Sequence, residues 1–127
     1  MVLKNSNYHT VLLVDDDKDI IELFKENLEG LSFDVHTAHN GIEALEFLEK
    51  NKVDCIVTDI SMPEMNGLEF IEHLQARLDF TPFFFITGYT DYPREKLNTY
   101  RPCAVIFKPF DFEEISTLVK MHLMKNS

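Results

Sequence analysis

The 127-residue sequence predicts an α/β fold, in which helices cover both faces of a parallel β-sheet. Short apolar segments alternate with segments whose apolar residues recur every three or four positions, so five predicted strands alternate with five predicted helices. This alternation is typical of βαβ units and a parallel sheet. The strand segments are almost continuously apolar, as expected where both faces of a sheet are buried. The length and the 45% hydrophobic composition fit one folded domain.

The predicted strands are short and rich in β-branched, aliphatic or aromatic residues. In chain order they cover Thr10–Val14, Phe33–Ala38, Val53–Thr58, Pro82–Thr87 and Cys103–Phe107. No linker, repeat or low-complexity segment interrupts them. We therefore expect one domain over residues 10–124, preceded by a flexible lead-in at residues 1–9.

The five predicted helices cover Asp17–Glu29, Asn40–Lys50, Asn66–Leu78, Tyr89–Tyr100 and Asp111–Met124. Three of them begin with a capping side chain three residues before a glutamate, in the pairs Asn40 and Glu43, Asn66 and Glu69, and Asp111 and Glu114. The two Asn-Gly pairs could instead form hairpin turns, but the apolar residues after them repeat at helical spacing. The fourth helix is the weakest, because proline is tolerated only in a first helical turn and Pro93 lies within the segment.

The composition excludes several classes of function. With 12 basic and 22 acidic residues the net charge is −10, so nucleic acids and anionic membranes would repel the chain. No apolar run approaches the roughly 20 residues that span a bilayer, and the N-terminus lacks the apolar segment of a secretion signal. We therefore expect a cytoplasmic protein. The cysteines Cys55 and Cys103 show no zinc-binding spacing and are expected to be buried free thiols.

Polar residues follow four of the five predicted strands at the point where each strand ends. They are Asp15, Asp16 and Asp17 after the first strand, Asp59 after the third, Thr87 after the fourth and Lys108 after the fifth. Ligands of open parallel sheets bind outside the carboxyl ends of the strands. If the strands were ordered 2-1-3-4-5, these residues would place at least three carboxylates, one hydroxyl and one ammonium around a single pocket.

Such a cluster predicts a cation site. Two carboxylates about 4 Å apart repel by about 4 kcal/mol at an effective dielectric constant of 20, so the cluster either takes up a proton or binds a cation. Oxygen ligands with open water positions suit Mg²⁺, and a metal beside an ammonium and a hydroxyl suits a phosphoryl group. Taken singly, these residues have ordinary roles, such as an N-cap for Asp17 or a surface lysine for Lys108. Their joint occurrence at four strand ends favours the functional interpretation.

The motifs resemble the receiver domain of two-component response regulators, the CheY-like family. The resemblance covers about Thr10 to Leu123 and rests on four segments in the family's order and spacing, VDDD at 14–17, TDISMPEMNG at 58–67, ITG at 86–88 and FKPF at 107–110. It implies the strand order 2-1-3-4-5 of flavodoxin-like folds.

The resemblance also implies a role for each matching residue. Asp59 would accept a phosphoryl group from a phosphohistidine of a histidine kinase or a histidine phosphotransfer protein. The metal, Mg²⁺ or Mn²⁺, would be held directly by Asp16, through water by Asp15, and by Asp59 and the backbone carbonyl of Ser61. Lys108 and Thr87 would contact the phosphoryl oxygens, and the Lys108–Pro109 peptide bond would be cis. The protein would catalyse its own phosphorylation and slow dephosphorylation, and act mainly as a signalling module.

Two positions bear on how such a domain would differ from its relatives. Tyr89 and Ser61 stand where the family tunes dephosphorylation, and a bulky Tyr89 ring could shield the phosphoryl group from water. Val105 stands where the family commonly has the Tyr or Phe that moves together with Thr87. We therefore expect a weaker or different coupling to the surface that contacts an output protein, and carry over no family mode of dimerisation.

Several alternatives remain open at the level of the sequence. The chain is interpreted first as a stand-alone receiver acting on a downstream protein target, with a second copy of itself as a further candidate partner. It could instead be a receiver fragment of a larger regulator or hybrid kinase. From other classes, it could be a non-phosphorylated pseudo-receiver that only binds partners, or a Mg²⁺-dependent hydrolase. The complete set of site residues disfavours the former, and the absence of a second acid-base residue disfavours the latter.

Overall fold

Five parallel strands form one sheet, as the sequence predicts, and their order is β2-β1-β3-β4-β5, as the family resemblance implies. The computed structural model describes residues 9–88 and 92–125. The strands are β1 Thr10–Val14, β2 Asp34–Ala38, β3 Cys55–Asp59, β4 Phe83–Thr87 and β5 Ala104–Phe107. The helices are α1 Lys18–Gly30, α2 Gly41–Lys50, α3 Gly67–Ala76, α4 Arg94–Asn98 and α5 Phe112–Lys125.

The sheet separates two hydrophobic cores, because successive side chains of a strand point to opposite faces. Leu12 and Val14 of β1 belong to one core, which contains the buried apolar side chains of α2, α3 and α4. Val11 and Leu13 belong to the other, which contains buried residues of α1 and α5. Burial on both faces accounts for the continuous apolar sequence of the central strands.

Side-chain caps fix the starts of the helices largely as predicted. Asp17 accepts hydrogen bonds from two backbone N–H groups at the start of α1, and Asn66 and Glu69 form a reciprocal capping box at α3. At α2 only half of the capping box forms. The Asn40 side chain accepts from the backbone N–H of Glu43, but the Glu43 carboxylate accepts from the N–H of His39 instead of that of Asn40. At α5 the carboxylate of Asp111 accepts from the N–H of Glu113 rather than of Glu114.

The predicted fourth helix is shorter than expected. It begins after Pro93, because helical geometry is disfavoured for a residue that precedes proline. It ends at Asn98, shortly before Arg101 adopts a left-handed φ of 64°. Tyr89, where the prediction began, lies outside the described residues. Likewise α3 ends at Ala76 instead of continuing to Leu78, whose φ is 64°.

One of the two cysteine predictions is wrong. Both cysteines are free, and Cys55 is buried in the central strand β3, but Cys103 is exposed. The reason is its position, since Cys103 precedes the first residue of β5, the edge strand whose own residues are only half-buried. None of the helices within residues 9–88 and 92–125 combines the length and the apolar composition that a membrane span requires.

Candidate functional site

Four neighbouring strands bring the predicted site residues to one edge of the sheet. β1, β3, β4 and β5 are adjacent and parallel, so their carboxyl ends lie side by side. The pairing of Asp59 with Ile86 and of Thr87 with Phe107 sets the ends of β3, β4 and β5 next to one another. The predicted pocket required the strand order 2-1-3-4-5, and the sheet has this order.

An acidic cluster occupies this edge. Asp15, Asp16 and Asp59 can each place a carboxylate oxygen within 4.8 Å of the others. Asp15 and Asp59 are only 6% and 5% exposed, whereas Asp16 is exposed. The Asp17 carboxylate does not belong to this cluster, because it caps the N-terminus of α1. Two buried carboxylates and one exposed carboxylate form a set of hard oxygen donors open to solvent on one side.

Lys108 supplies positive charge to the cluster from the end of β5. Its Nζ lies 3.7 Å from Oδ1 of Asp59 and 3.9 Å from Oδ2 of Asp15. The backbone N–H of Lys108 donates to the carbonyl oxygen of Thr87 at 2.7 Å, which ties the ends of β4 and β5 together. The Lys108–Pro109 peptide bond is cis, as predicted.

The electrostatics leave the cluster short of positive charge. Burial, followed by repulsion from Asp15, raises the pKa of Asp59 to about 7, although Lys108 and the Ile60 N–H oppose the shift. Burial also raises the pKa of Asp15, against the hydrogen bond from the Asp17 N–H and the attraction of Lys108. One ammonium does not compensate for burying two carboxylates beside a third. The three carboxylates therefore fit a divalent cation, which would favour their ionised forms.

The loop after β3 is held against the site by a close backbone approach. Ile60 N–H donates to Oδ1 of Asp59 at 2.9 Å, and Gly67 N–H donates to the carbonyl oxygen of Ile60 at 2.8 Å. A Cβ atom at position 67 would lie 2.9 Å from Cα of Ile60 and would overlap the carbonyl oxygen of Asp59. Only glycine leaves the room that this turn requires. In the sequence Gly67 marks only the start of a helix, so this second role was missed.

A cleft opens beside Asp16. Its lining includes Ser61, the predicted carbonyl ligand, together with Met62, Asn66 and Tyr92. Ser61 is exposed, so the cleft connects the acidic edge with solvent. Tyr92 carried no sequence signal, because nothing in its neighbourhood indicates that the chain after β4 returns to Asp16. Tyr89, the predicted shield, lies outside the described residues.

The surroundings of Thr87 differ from the pattern described for the resemblance. Thr87 is buried, and Val105 is half-buried against the same core as Phe85. The ring of Phe85 packs against that of Phe83, at 5.1 Å between centroids, and against that of Tyr100, at 6.0 Å and nearly perpendicular. The Tyr100 hydroxyl donates to Glu72 at 2.6 Å. Tyr100 lies in the segment before β5. The sequence comparison at position 105 therefore gave no indication that an aromatic ring reaches Phe85 from there.

Comparisons with known proteins agree with the geometry. A family model described as the response regulator receiver domain matches residues 11–120. The sensor kinase CckA of Brucella abortus (strain 2308) is 34% identical over 119 residues, which cover 91% of this chain and 13% of that protein. The alkaline phosphatase synthesis transcriptional regulatory protein PhoP of Bacillus subtilis (strain 168) is 33% identical over 118 residues, covering 91% of this chain and 49% of that protein. The chain thus spans half or less of the length of these relatives.

Solved structures agree as well. The response regulator protein TrrA from Thermotoga maritima, solved in complex with Mg²⁺-BeF, is 32% identical with a TM-score of 0.79. The similarity covers 89% of this chain and 97% of that one.

Proposed function

Because the chain belongs to the family of response regulator receiver domains, we propose that it accepts a phosphoryl group on Asp59 in a metal-dependent reaction. The phosphorylated domain then signals through protein contacts that depend on that group. The observation that carries the proposal is the position of the Asp59 carboxylate, which is buried, 3.7 Å from Lys108 and clustered with Asp15 and Asp16.

The chemistry is nucleophilic attack by a carboxylate. An oxygen of Asp59 forms a bond to phosphorus while the bond from phosphorus to the imidazole nitrogen of the donor phosphohistidine breaks, and the leaving imidazole takes a proton. The donor is a histidine kinase or a histidine phosphotransfer protein. Because Asp59 is held by the Ile60 N–H and by the end of β3, its carboxylate is oriented before the donor arrives.

Asp15, Asp16, Asp59 and the backbone carbonyl of Ser61 would hold the metal, Mg²⁺ or Mn²⁺. When bound, the metal supplies the positive charge that offsets the phosphoryl oxygens and the crowded carboxylates. Lys108 adds an ammonium that pairs with the phosphoryl oxygens, and Thr87 donates its hydroxyl to them. The complex of the relative TrrA with Mg²⁺-BeF supports this assignment.

The receiver corresponds to residues 10–124, preceded by a lead-in at 1–9, and works in the cytoplasm on a downstream protein target. It loses its phosphoryl group slowly by its own hydrolysis. If the Tyr89 ring shields the group from water, Tyr89→Ala should shorten the lifetime of the phosphorylated protein, measured by intact mass after the donor is removed. An unchanged or longer lifetime would contradict the shielding.

The same domain could work inside a longer chain. CckA, of which this chain covers 13%, is a sensor kinase, and a receiver attached to a kinase would take its phosphoryl group within one polypeptide. The sequence that flanks the gene distinguishes this alternative from a stand-alone receiver.

Incubation with Mg²⁺ and acetyl phosphate, followed by intact mass measurement, tests the proposal. We expect a single phosphoryl adduct that requires the metal and is absent from Asp59→Asn. Asp34→Asn is the matched control. Asp34 is an exposed carboxylate at the start of β2, so it lies at the amino ends of the strands, away from the carboxyl ends where the site lies. An adduct that persists in Asp59→Asn would refute the assignment, and no adduct in any form of the protein would favour a receiver that only binds partners.

A further inference from the structure

A cysteine and a histidine, two residue types that can ligate metals, meet at a distance from the acidic cluster. Sγ of Cys103 is 3.4 Å from Nε2 of His122, although the two residues are 19 positions apart. Cys103 precedes β5 and Lys108 follows it, so the strand separates this pair from the acidic cluster by roughly 16 Å, at about 3.3 Å per residue. No zinc-binding spacing is visible in the sequence because the two donors meet only after α5 packs on β5.

The two donors are held in place independently of each other. The backbone N–H of Cys103 donates to the carbonyl oxygen of Phe83 at 2.7 Å, which fixes the start of β5 on β4. The His122 ring packs edge-on against Phe84, with 5.8 Å between centroids and 88° between planes. A pair anchored by its own strand and its own helix is preorganised for a common ligand.

The surroundings select the chemistry of that ligand. Among the described residues no carboxylate lines the cavity around the pair, whereas Lys120 and Lys125 do, together with Met121 and Met124. Hard cations such as Mg²⁺ prefer oxygen donors, above all carboxylates, which the described lining does not offer. Sulfur and imidazole donors suit a thiophilic ion.

The separation of the donors fits one tetrahedral ion. Metal–sulfur and metal–nitrogen bonds of about 2.3 and 2.0–2.1 Å at a tetrahedral angle set the two donor atoms about 3.6 Å apart. The observed 3.4 Å needs an adjustment of only a few tenths of an ångström. On binding, the Cys103 thiol releases its proton to solvent and its sulfur bonds to the ion, while His122 donates a lone pair from Nε2.

Two donors complete only half of a tetrahedral zinc site. Beside the two lysines, the lining of this cavity includes three exposed apolar side chains, Leu118, Met121 and Met124, at 44%, 62% and 60% exposure. A twofold axis through the ion would bring the same pair from a second copy and cover this apolar surface on both chains. We propose that Cys103 and His122 bind Zn²⁺ together with the same two residues of a second copy, forming a zinc-bridged homodimer.

Cobalt substitution tests the proposal on the full chain. Co²⁺ is titrated in the presence of excess Mg²⁺, which occupies the acidic cluster, and of a phosphine reductant, which prevents a disulfide. We expect a near-ultraviolet sulfur-to-cobalt band and tetrahedral visible absorption that saturate at one ion per two chains. Light scattering should show a dimer with Zn²⁺ and a monomer with EDTA.

Variants identify the ligands. Cys103→Ser, a change at an exposed position, should remove both the sulfur band and the dimer, and His122→Gln should weaken both. Asp16→Asn is the matched control and should retain both, which also separates this site from the proposed phosphorylation site. A sulfur band that survives in Cys103→Ser, a one-to-one complex that stays monomeric, or the absence of the band would overturn the proposal.

Discussion

Replacing Asp59 with asparagine should stabilise the metal-free protein, and the gain should grow with pH. The pKa of Asp59 is raised from 3.8 to about 7, so the folded state holds a proton that the unfolded chain releases near pH 4. A carboxyl group with a raised folded pKa costs stability as the pH rises from its unfolded pKa to its folded pKa. The asparagine side chain cannot ionise and avoids this cost, while its amide oxygen can still accept from the Ile60 N–H.

The size of the effect follows from the shift. At 1.36 kcal/mol per pKa unit, the raised pKa of Asp59 lowers the free energy of unfolding by about 4 kcal/mol at about pH 8, where the group is ionised in both states. At about pH 5 the folded state still holds the proton, and the loss is only about 2 kcal/mol. The free energies of unfolding of Asp59→Asn and wild type should therefore diverge by about 2 kcal/mol over this range. Only 5% of Asp59 is exposed, so solvent screening reduces the effect little.

Urea unfolding followed by circular dichroism, with EDTA present, measures this difference. Glu46→Gln, an exposed charge-to-amide change on α2, is the matched control and should show no comparable gain. Addition of Mg²⁺ should stabilise the wild type and narrow the gap, because the variant lacks one of the proposed ligands. A gap that is constant with pH, or a variant less stable than wild type at about pH 8, would refute the electrostatic reasoning.

Three further changes probe the architecture of the site. Gly67→Ala should lower the free energy of unfolding by roughly 1–3 kcal/mol, because the new methyl group meets the backbone of Ile60; unchanged urea unfolding would contradict this. Asn66→Ala should cost about 1 kcal/mol by removing the α3 cap whereas Asn66→Asp retains it, so equal melting temperatures for the two variants would count against the cap. Lys108→Ala should slow phosphorylation by acetyl phosphate by about 100-fold without weakening Mg²⁺ binding, and a loss of metal affinity in calorimetry would argue against its assignment to the phosphoryl oxygens.

The sequence predicts the elements and the edge of the sheet where the site lies, because both depend on local patterns. Apolar periodicity locates each strand, and Asp15, Asp59 and Lys108 lie at strand ends, so a parallel topology puts them at the same edge of the sheet. The strand order that makes their strands neighbours followed from the family resemblance.

Features that depend on packing between distant segments escaped prediction. The exposure of Cys103 reflects the edge position of β5, and its contact with His122 depends on how α5 crosses the sheet. The requirement for glycine at position 67 arises from the return of the loop to Asp59, and the ring of Tyr100 reaches Phe85 from a segment outside the predicted strand. None of these contacts leaves a periodic signal in the chain.

The arrangement of the acidic edge has a consequence for the synthesis of the protein. Asp15 and Asp16 follow β1, the first of the five described strands to be synthesised, but Lys108 follows β5, which is synthesised after the other four and lies beside β4. A nascent chain that ends before β5 has the carboxylates without the Lys108 ammonium, and one edge of β4 lacks its hydrogen-bonded neighbour. The acidic cluster therefore gains its ammonium partner only after β5 and Lys108 have emerged from the exit tunnel.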